Sequence, residues 1–76
     1  PTTWRRFVAW VDCTDSKENE EYECKLFLVL YQDDTGVALG SIMWWGDYYY
    51  ALRSTRRLGP HSTLDGAKSA VEGADG

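Results

Sequence analysis

The run Leu26–Tyr31 (LFLVLY) is the feature that most constrains the fold of this chain. Six consecutive apolar residues suit a strand that is covered on both faces, because a half-exposed strand would alternate apolar and polar side chains. Such a strand needs neighbouring strands at its sides and packed side chains above and below it. The sequence therefore predicts a β-sheet in which residues 24–32 form an internal strand.

Three further segments have the β-branched and aromatic composition of strands, and they lie at about 4–13, 37–45 and 48–53. Asp33–Gly36 (DDTG) and Gly46 are turn signals between strands, and Gly40 marks a bulge or a close backbone approach. These patterns predict four antiparallel strands, with an acidic loop at 14–23 between the first two.

The C-terminal segment carries the only helix signal. Ser62 and Asp65 resemble a capping box, with Asp in place of the preferred Glu or Gln, and predict a helix over about 63–72 that Gly73 ends. Its apolar stripe consists mostly of small side chains: Leu64, Ala67, Val71 and Ala74. We expect residues 74–76 to fray. The predicted fold class is α+β, a single domain of order β-β-β-β-α with the helix packed on one sheet face.

The aromatic content exceeds what this helix can cover. The chain of 76 residues contains four Trp, five Tyr and two Phe, and the strands place aromatic rings on both faces of the sheet. A helix of about ten residues covers one face, so we expect an exposed aromatic patch of the kind that marks an interface. Two alternatives are a twisted sheet that wraps its own rings around the helix, and a second copy of the chain that covers the open face.

Charge is distributed unevenly along the sequence. The formal net charge is −4, and residues 12–23 hold six carboxylates against Lys17, which is typical of a solvated loop. A calcium loop does not fit, since Lys17 stands where that motif needs Gly. The five arginines cluster at two places, 5–6 and 53–57, and would form a basic patch if the outer strands lay close together. Pairing with nearby acids is the alternative.

The segment Tyr50–Glu72 (YALRSTRRLGPHSTLDGAKSAVE) resembles the strand, Leu-Gly and Thr-initiated helix of the AP2 and phage-integrase N-terminal DNA-binding domains. The matching positions are Leu58, Gly59, Thr63, Ala67 and Ala70. The segment is also similar to the C-terminal ends of short phage and prophage proteins of unknown function. The DNA-binding resemblance implies that Arg53, Arg56 or Arg57 touches DNA, whereas the net charge and the acidic loop disfavour a nucleic-acid partner.

Residues with catalytic chemistry are few. His61 is the only histidine, and Cys13 and Cys24 carry no nucleophile signature. The cysteines are expected to be thiols, although a cross-strand bridge is geometrically allowed if they lie opposite each other. These two and His61 are too few for a structural zinc site, and we expect no cofactor. A catalytic N-terminal proline, Pro1, is the alternative enzymatic hypothesis.

No apolar run approaches the roughly 20 residues that span a bilayer, and no signal-peptide pattern begins the sequence, so a cytoplasmic protein is expected, in the host cytoplasm if a phage encodes it.

The sequence thus favours a non-catalytic protein-binding module, a small phage or mobile-element protein that engages a host protein or a second copy of itself through an aromatic sheet surface. DNA binding is the alternative hypothesis, and an enzyme is the third. The candidate binding residues are Trp10, Trp44, Trp45, Tyr48, Tyr50, Arg53, Arg56 and Arg57.

Overall fold

The computed structural model describes residues 8–74, which form an antiparallel sheet of five strands and two helices. The strands lie side by side in chain order, each joined to the next by a turn or a short connection. The elements are β1 (Val8–Asp12), α1 (Lys17–Tyr22), β2 (Leu26–Gln32), β3 (Ala38–Trp44), β4 (Tyr49–Arg53), β5 (Arg56–His61) and α2 (Leu64–Gly73).

The prediction of an α+β fold with an antiparallel sheet and a C-terminal helix is confirmed. The predicted number of strands is wrong, because residues 56–61 form a fifth strand beyond the last predicted one at 48–53. Pro60 is compatible with β5 because this strand is at the edge of the sheet, where half of the backbone N–H groups point away from the ladder. Gly59, at φ +83°, forms a bulge with Leu58 opposite Ala51.

The acidic segment is also more ordered than a loop. Residues 17–22 form α1, which begins after Ser16 and ends at Glu23 in the left-handed conformation (φ 56°). A six-residue helix is not stable by itself, and this one lacks an apolar stripe that a sequence pattern could reveal. Its stability must come from contacts with the rest of the chain.

The other predicted elements agree with the structure apart from their ends. Gly36 closes the β2–β3 turn with φ +70°, and Gly46 has φ +115° between β3 and β4. The N-cap of α2 is Thr63 rather than Ser62, and its side chain accepts a hydrogen bond from the Gly66 backbone N–H (3.1 Å). The predicted first strand at 4–13 is observed from Val8 to Asp12, and its residues 4–7 lie outside the described part, as do residues 75–76 of the tail.

One face of the sheet, the helix face, packs against α2 and holds the main core. Leu28, Leu30, Ile42 and Ala51 meet Ala67 and Val71 of the helix, and all six are buried. The helix lies over β3, β4 and β5. It approaches the sheet closely at Gly40. Next to Gly40 is a β-bulge, in which Leu39 is the extra residue between the paired residues Ala38 and Gly40. Both features predicted for Gly40, a bulge and a close approach, therefore occur at or beside it.

The opposite face, the outer face, includes two rows of side chains that cross all five strands and follow from the strand register. The first row is Val11, Val29, Ser41, Leu52 and Arg57, and the second is Cys13, Phe27, Met43, Tyr50 and Pro60. Phe27 and Val29 are buried, whereas Tyr50, Arg57 and Pro60 are exposed. Val11 of β1 is exposed as well, so burial on the outer face is centred on β2.

Within residues 8–74, neither helix is both long enough and apolar enough to cross a membrane.

Replacing Gly40 with Ala tests the close seating of α2. A Cβ at this position would lie 2.5 Å from the Leu52 carbonyl oxygen and 2.5 Å from Val71 Cγ1, so the helix must shift. We expect a loss of about 1–3 kcal/mol in the free energy of unfolding, measured by urea denaturation. Gly73→Ala is the matched control, because its Cβ would meet nothing within 4 Å, and it should leave stability unchanged or raise it. Equal effects of both substitutions would contradict the packing described.

Candidate functional site

Helix α1 lies over β2 on the outer face. The ring of Tyr22 lies against that of Phe27, with centroids 6.1 Å apart and an interplanar angle of 56°. Phe27 is 4% exposed and, with Val29 and Cys24, forms a second small core on this face. The segment predicted to be a solvated loop therefore buries part of the aromatic surplus.

The buried amide of Asn19 holds α1 in place. Its Nδ2 donates to the carbonyl oxygens of Thr14 (2.8 Å) and Cys24 (2.9 Å), and its Oδ1 accepts from the Cys24 backbone N–H (2.8 Å). One side chain thus ties the segment before α1 to the segment after it. Nothing in the sequence distinguishes Asn19 from the polar residues around it, so sequence analysis did not identify it.

The β4–β5 side of the outer face remains open in the part of the chain that the structure describes. Trp45, Tyr50, Leu52, Arg57 and Pro60 line a shallow cavity of about 350 Å³ there, and we call these five residues the open patch. Trp45 is 41% exposed and Tyr50 36% exposed, and their rings are in tilted contact at 5.8 Å. Tyr50 and Pro60 are cross-strand neighbours. The patch is an apolar surface with Arg57 at its border.

Hydrogen bonds fix the orientation of both rings. Trp45 Nε1 donates to the Tyr22 carbonyl oxygen (2.8 Å), which links the patch to the C-terminal end of α1. The Tyr50 hydroxyl donates to Asp47 Oδ2 (3.3 Å). Partial burial and the neighbouring Asp47 carboxylate raise the pKa of Tyr50, so its phenol stays protonated at neutral pH. Rings held in this way lose little conformational entropy when a partner binds.

The aromatic residues predicted to bind a partner separate into two groups. Trp10 and Trp44 lie on the helix face: Trp10 Nε1 donates to Glu72 Oε2 of α2 (2.7 Å), and Trp44 stacks on Tyr49 at 5.6 Å. Trp45 and Tyr50 meet in the open patch. Tyr48 is 52% exposed but does not line the cavity. The structure therefore brings together only two of the five aromatic candidates.

The three arginines do not form a common surface. Arg53 is buried, and its Nη1 donates to the Val71 carbonyl oxygen (2.7 Å) in the last turn of α2. Arg57 borders the open patch, whereas Arg56 lies beside the C-terminal half of α2 with Ser69 and Gly73. Arg5 and Arg6 lie outside the described residues. Arg53 therefore serves the helix terminus, where carbonyl groups lack partners within the helix, and is not available to a ligand.

The groups with catalytic chemistry lie apart from the open patch. The His61 ring donates from Nε2 to the Leu58 carbonyl oxygen (2.8 Å). Cys13 and Cys24 are free thiols, and burial raises the pKa of Cys24, which disfavours the nucleophilic thiolate. Within residues 8–74, no three His, Cys, Asp or Glu side chains are placed to hold a metal ion. Pro1 lies outside this range.

Sequence analysis missed two patch residues as well as Asn19. Leu52 was assigned only to the strand at 48–53 and Pro60 to no element, yet they form the apolar floor beside Tyr50. Pro60 could be placed there only after β5 was known to pair with β4.

Comparison of the chain with protein-family models, with curated proteins and with solved structures finds no match, so the site is interpreted from its own geometry.

Asn19→Ala should release α1 from the outer face. The substitution removes three hydrogen bonds and leaves two carbonyl groups and one N–H without this partner. We expect it to lower the free energy of unfolding by about 1–3 kcal/mol. We expect the Cys24 thiol to react with iodoacetamide faster in this variant than in the wild-type chain, and peptide mass spectrometry measures the rate. Glu20→Ala, an exposed change in the same helix, is the control and should leave the rate unchanged. A Cys24 thiol that stays protected in Asn19→Ala would show that α1 is held by other contacts.

Arg53→Ala should destabilise the domain by about 2 kcal/mol or more, because it removes a charged hydrogen bond to the buried Val71 carbonyl group. Arg56, its cross-strand neighbour, is exposed, and Arg56→Ala should change stability by no more than about 0.5 kcal/mol. Thermal unfolding measures the difference, since 1 kcal/mol corresponds to about 4–8 °C in a domain of this size. Equal melting temperatures of the two variants would contradict the assignment of Arg53.

Proposed function

We propose that this chain is a non-catalytic protein-binding module whose contact surface is the open patch. The observation that carries the proposal is the exposed, hydrogen-bonded pair Trp45 and Tyr50 on a sheet face that α1 covers only in part. Rings with restricted motion in an apolar depression have the properties of interface hot spots, in which Trp and Tyr are enriched. The floor of Leu52 and Pro60 extends the apolar area around them.

The chemistry of the patch supports binding rather than catalysis. Arg57 and the protonated Tyr50 phenol are the titratable side chains that line the cavity, and its lining contains no carboxylate, histidine or cysteine. A catalytic site would need a nucleophile or a general base directed into the cavity. These residues can instead supply apolar contact area, one cationic group and one hydroxyl.

The proposal includes the setting that the resemblance of Tyr50–Glu72 suggests. A short phage or mobile-element protein would act in the cytoplasm of its host, with a host protein as partner. DNA binding is not favoured by any observation in residues 8–74, because Arg53, Arg56 and Arg57, which the DNA-binding resemblance implies as contacts, lie at different places in the fold.

In-cell photo-crosslinking tests the proposal. A benzoylphenylalanine at position 50 should capture a protein that the same photoreactive residue at position 37 does not, since Val37 is 54% exposed but lies in the β2–β3 turn, at the far end of β3 from Trp45. The captured protein is then purified and titrated with the wild-type chain.

We expect Trp45→Ala to weaken binding to this protein about 30-fold, the effect of losing a hot spot of about 2 kcal/mol, and Val37→Ala to change it less than twofold. Circular dichroism confirms that both variants remain folded. Equal affinity of Trp45→Ala and the wild-type chain for every captured protein would reject the open patch as the contact surface.

A further inference from the structure

A second depression adjoins the open patch across the sheet, and we call the two together the groove. This depression, of about 270 Å³, lies between α1 and strands β3 and β4, with Glu18, Phe27, Met43 and Ser41 among its lining residues. Leu52 borders both depressions. The groove therefore runs from Pro60 on β5 to Glu18 above β2.

The length of the groove limits what can occupy it. Three strand spacings of about 4.8 Å separate β5 from β2, so the groove is about 14 Å long. An extended chain rises about 3.3 Å per residue, and four or five residues of such a chain would span it. A short extended segment fits this length.

The two ends of the groove differ in charge. Arg57 borders the end near Pro60, and Glu18 borders the other end. Residues 8–74 contain eleven acidic and six basic side chains. Two of those basic groups are engaged on the helix face: Arg53 binds the Val71 carbonyl group, and Lys68 Nζ lies 5.8 Å from the Trp10 ring centroid. Helix α1, which borders the Glu18 end of the groove, contains one basic residue, Lys17.

We infer that the groove binds an extended segment of a partner protein that places an apolar side chain in the open patch and a Lys or Arg side chain four or five residues away, beside Glu18. This inference rests on the proposed function and names the class of partner. Charge complementarity supports it, because a cationic side chain is attracted at the α1 end and repelled by Arg57 at the other. A second copy of this chain is a poorer occupant, since two molecules with net charge −4 repel each other.

A random peptide library tests the inference with the full chain as bait. Twelve-residue peptides are selected against the wild-type chain, against Trp45→Ala and against Glu18→Lys. We expect the wild-type chain to enrich peptides with Lys or Arg four or five residues from an aliphatic or aromatic residue. Enrichment of these peptides should be lost with Trp45→Ala, and Glu18→Lys should remove the basic preference.

Titration of the most enriched peptide then isolates the contribution of Glu18. We expect Glu18→Lys to weaken its binding about fivefold or more, and a rise from 50 to 300 mM NaCl to weaken it as well. Glu20→Lys makes the same charge change in α1 at a residue that does not line the groove, and it should weaken binding less than twofold.

The possible failures are distinguishable. Peptides that require Trp45 but show no basic preference would overturn the inference and leave the proposed function standing. The absence of any enrichment that depends on Trp45 would overturn the inference, and the crosslinking experiment would then decide the proposed function separately. A dimer in sedimentation equilibrium that Trp45→Ala converts to a monomer would also overturn it, because a second copy would occupy the patch.

Discussion

The hydrogen bonds of the Asn19 amide determine which aromatic rings of this domain are exposed. They connect the backbone on both sides of α1 and hold that helix over β2 on the outer face. Phe27 and Val29 are buried as a result, although α2 lies on the opposite face. A helix that could not persist alone thus divides the outer face into a covered side and an open side.

The seating of α2 explains why the two sheet faces differ. Gly40 lets the helix approach the sheet closely, and the guanidinium of Arg53 binds the carbonyl group of Val71 near its C-terminal end. Small side chains such as Ala67 suffice to fill the space between helix and sheet because the helix lies close to the strands. Trp10 and Trp44 pack at the borders of this core, so the aromatic surplus that reaches the surface is concentrated on the outer face, around Trp45 and Tyr50.

Patterns that depend on local chemistry predicted much of the fold. The apolar run Leu26–Tyr31 predicted an internal strand, and Gly36 predicted a turn. The stripe that includes Ala67 and Val71 predicted a helix packed on one face of the sheet. Features that depend on tertiary contacts were not predictable in this way. Helix α1 has no apolar stripe and relies on Asn19, and β5 contains Gly59 and Pro60, which are tolerated there because of a bulge and an edge position.

The same distinction applies to the candidate site. The sequence shows that the strands carry more aromatic rings than one short helix can cover, and it therefore predicts an exposed aromatic patch. Which rings form that patch depends on strand register and on hydrogen bonds between distant residues, such as that from Trp45 Nε1 to the Tyr22 carbonyl oxygen. Arg53 illustrates the limit most clearly, since its sequence neighbours Arg56 and Arg57 are exposed whereas it is buried.

Hydroxyl-radical footprinting of the isolated monomer, followed by mass spectrometry, tests most directly that α1 and α2 leave the open patch uncovered. Trp45 (41% exposed) and Tyr50 (36%) should be oxidised several-fold faster than Phe27 (4%), after correction for the intrinsic reactivity of each ring. Oxidation of Trp45 and Tyr50 as slow as that of Phe27 would mean that the chain covers these rings itself, and would remove the basis for a binding surface.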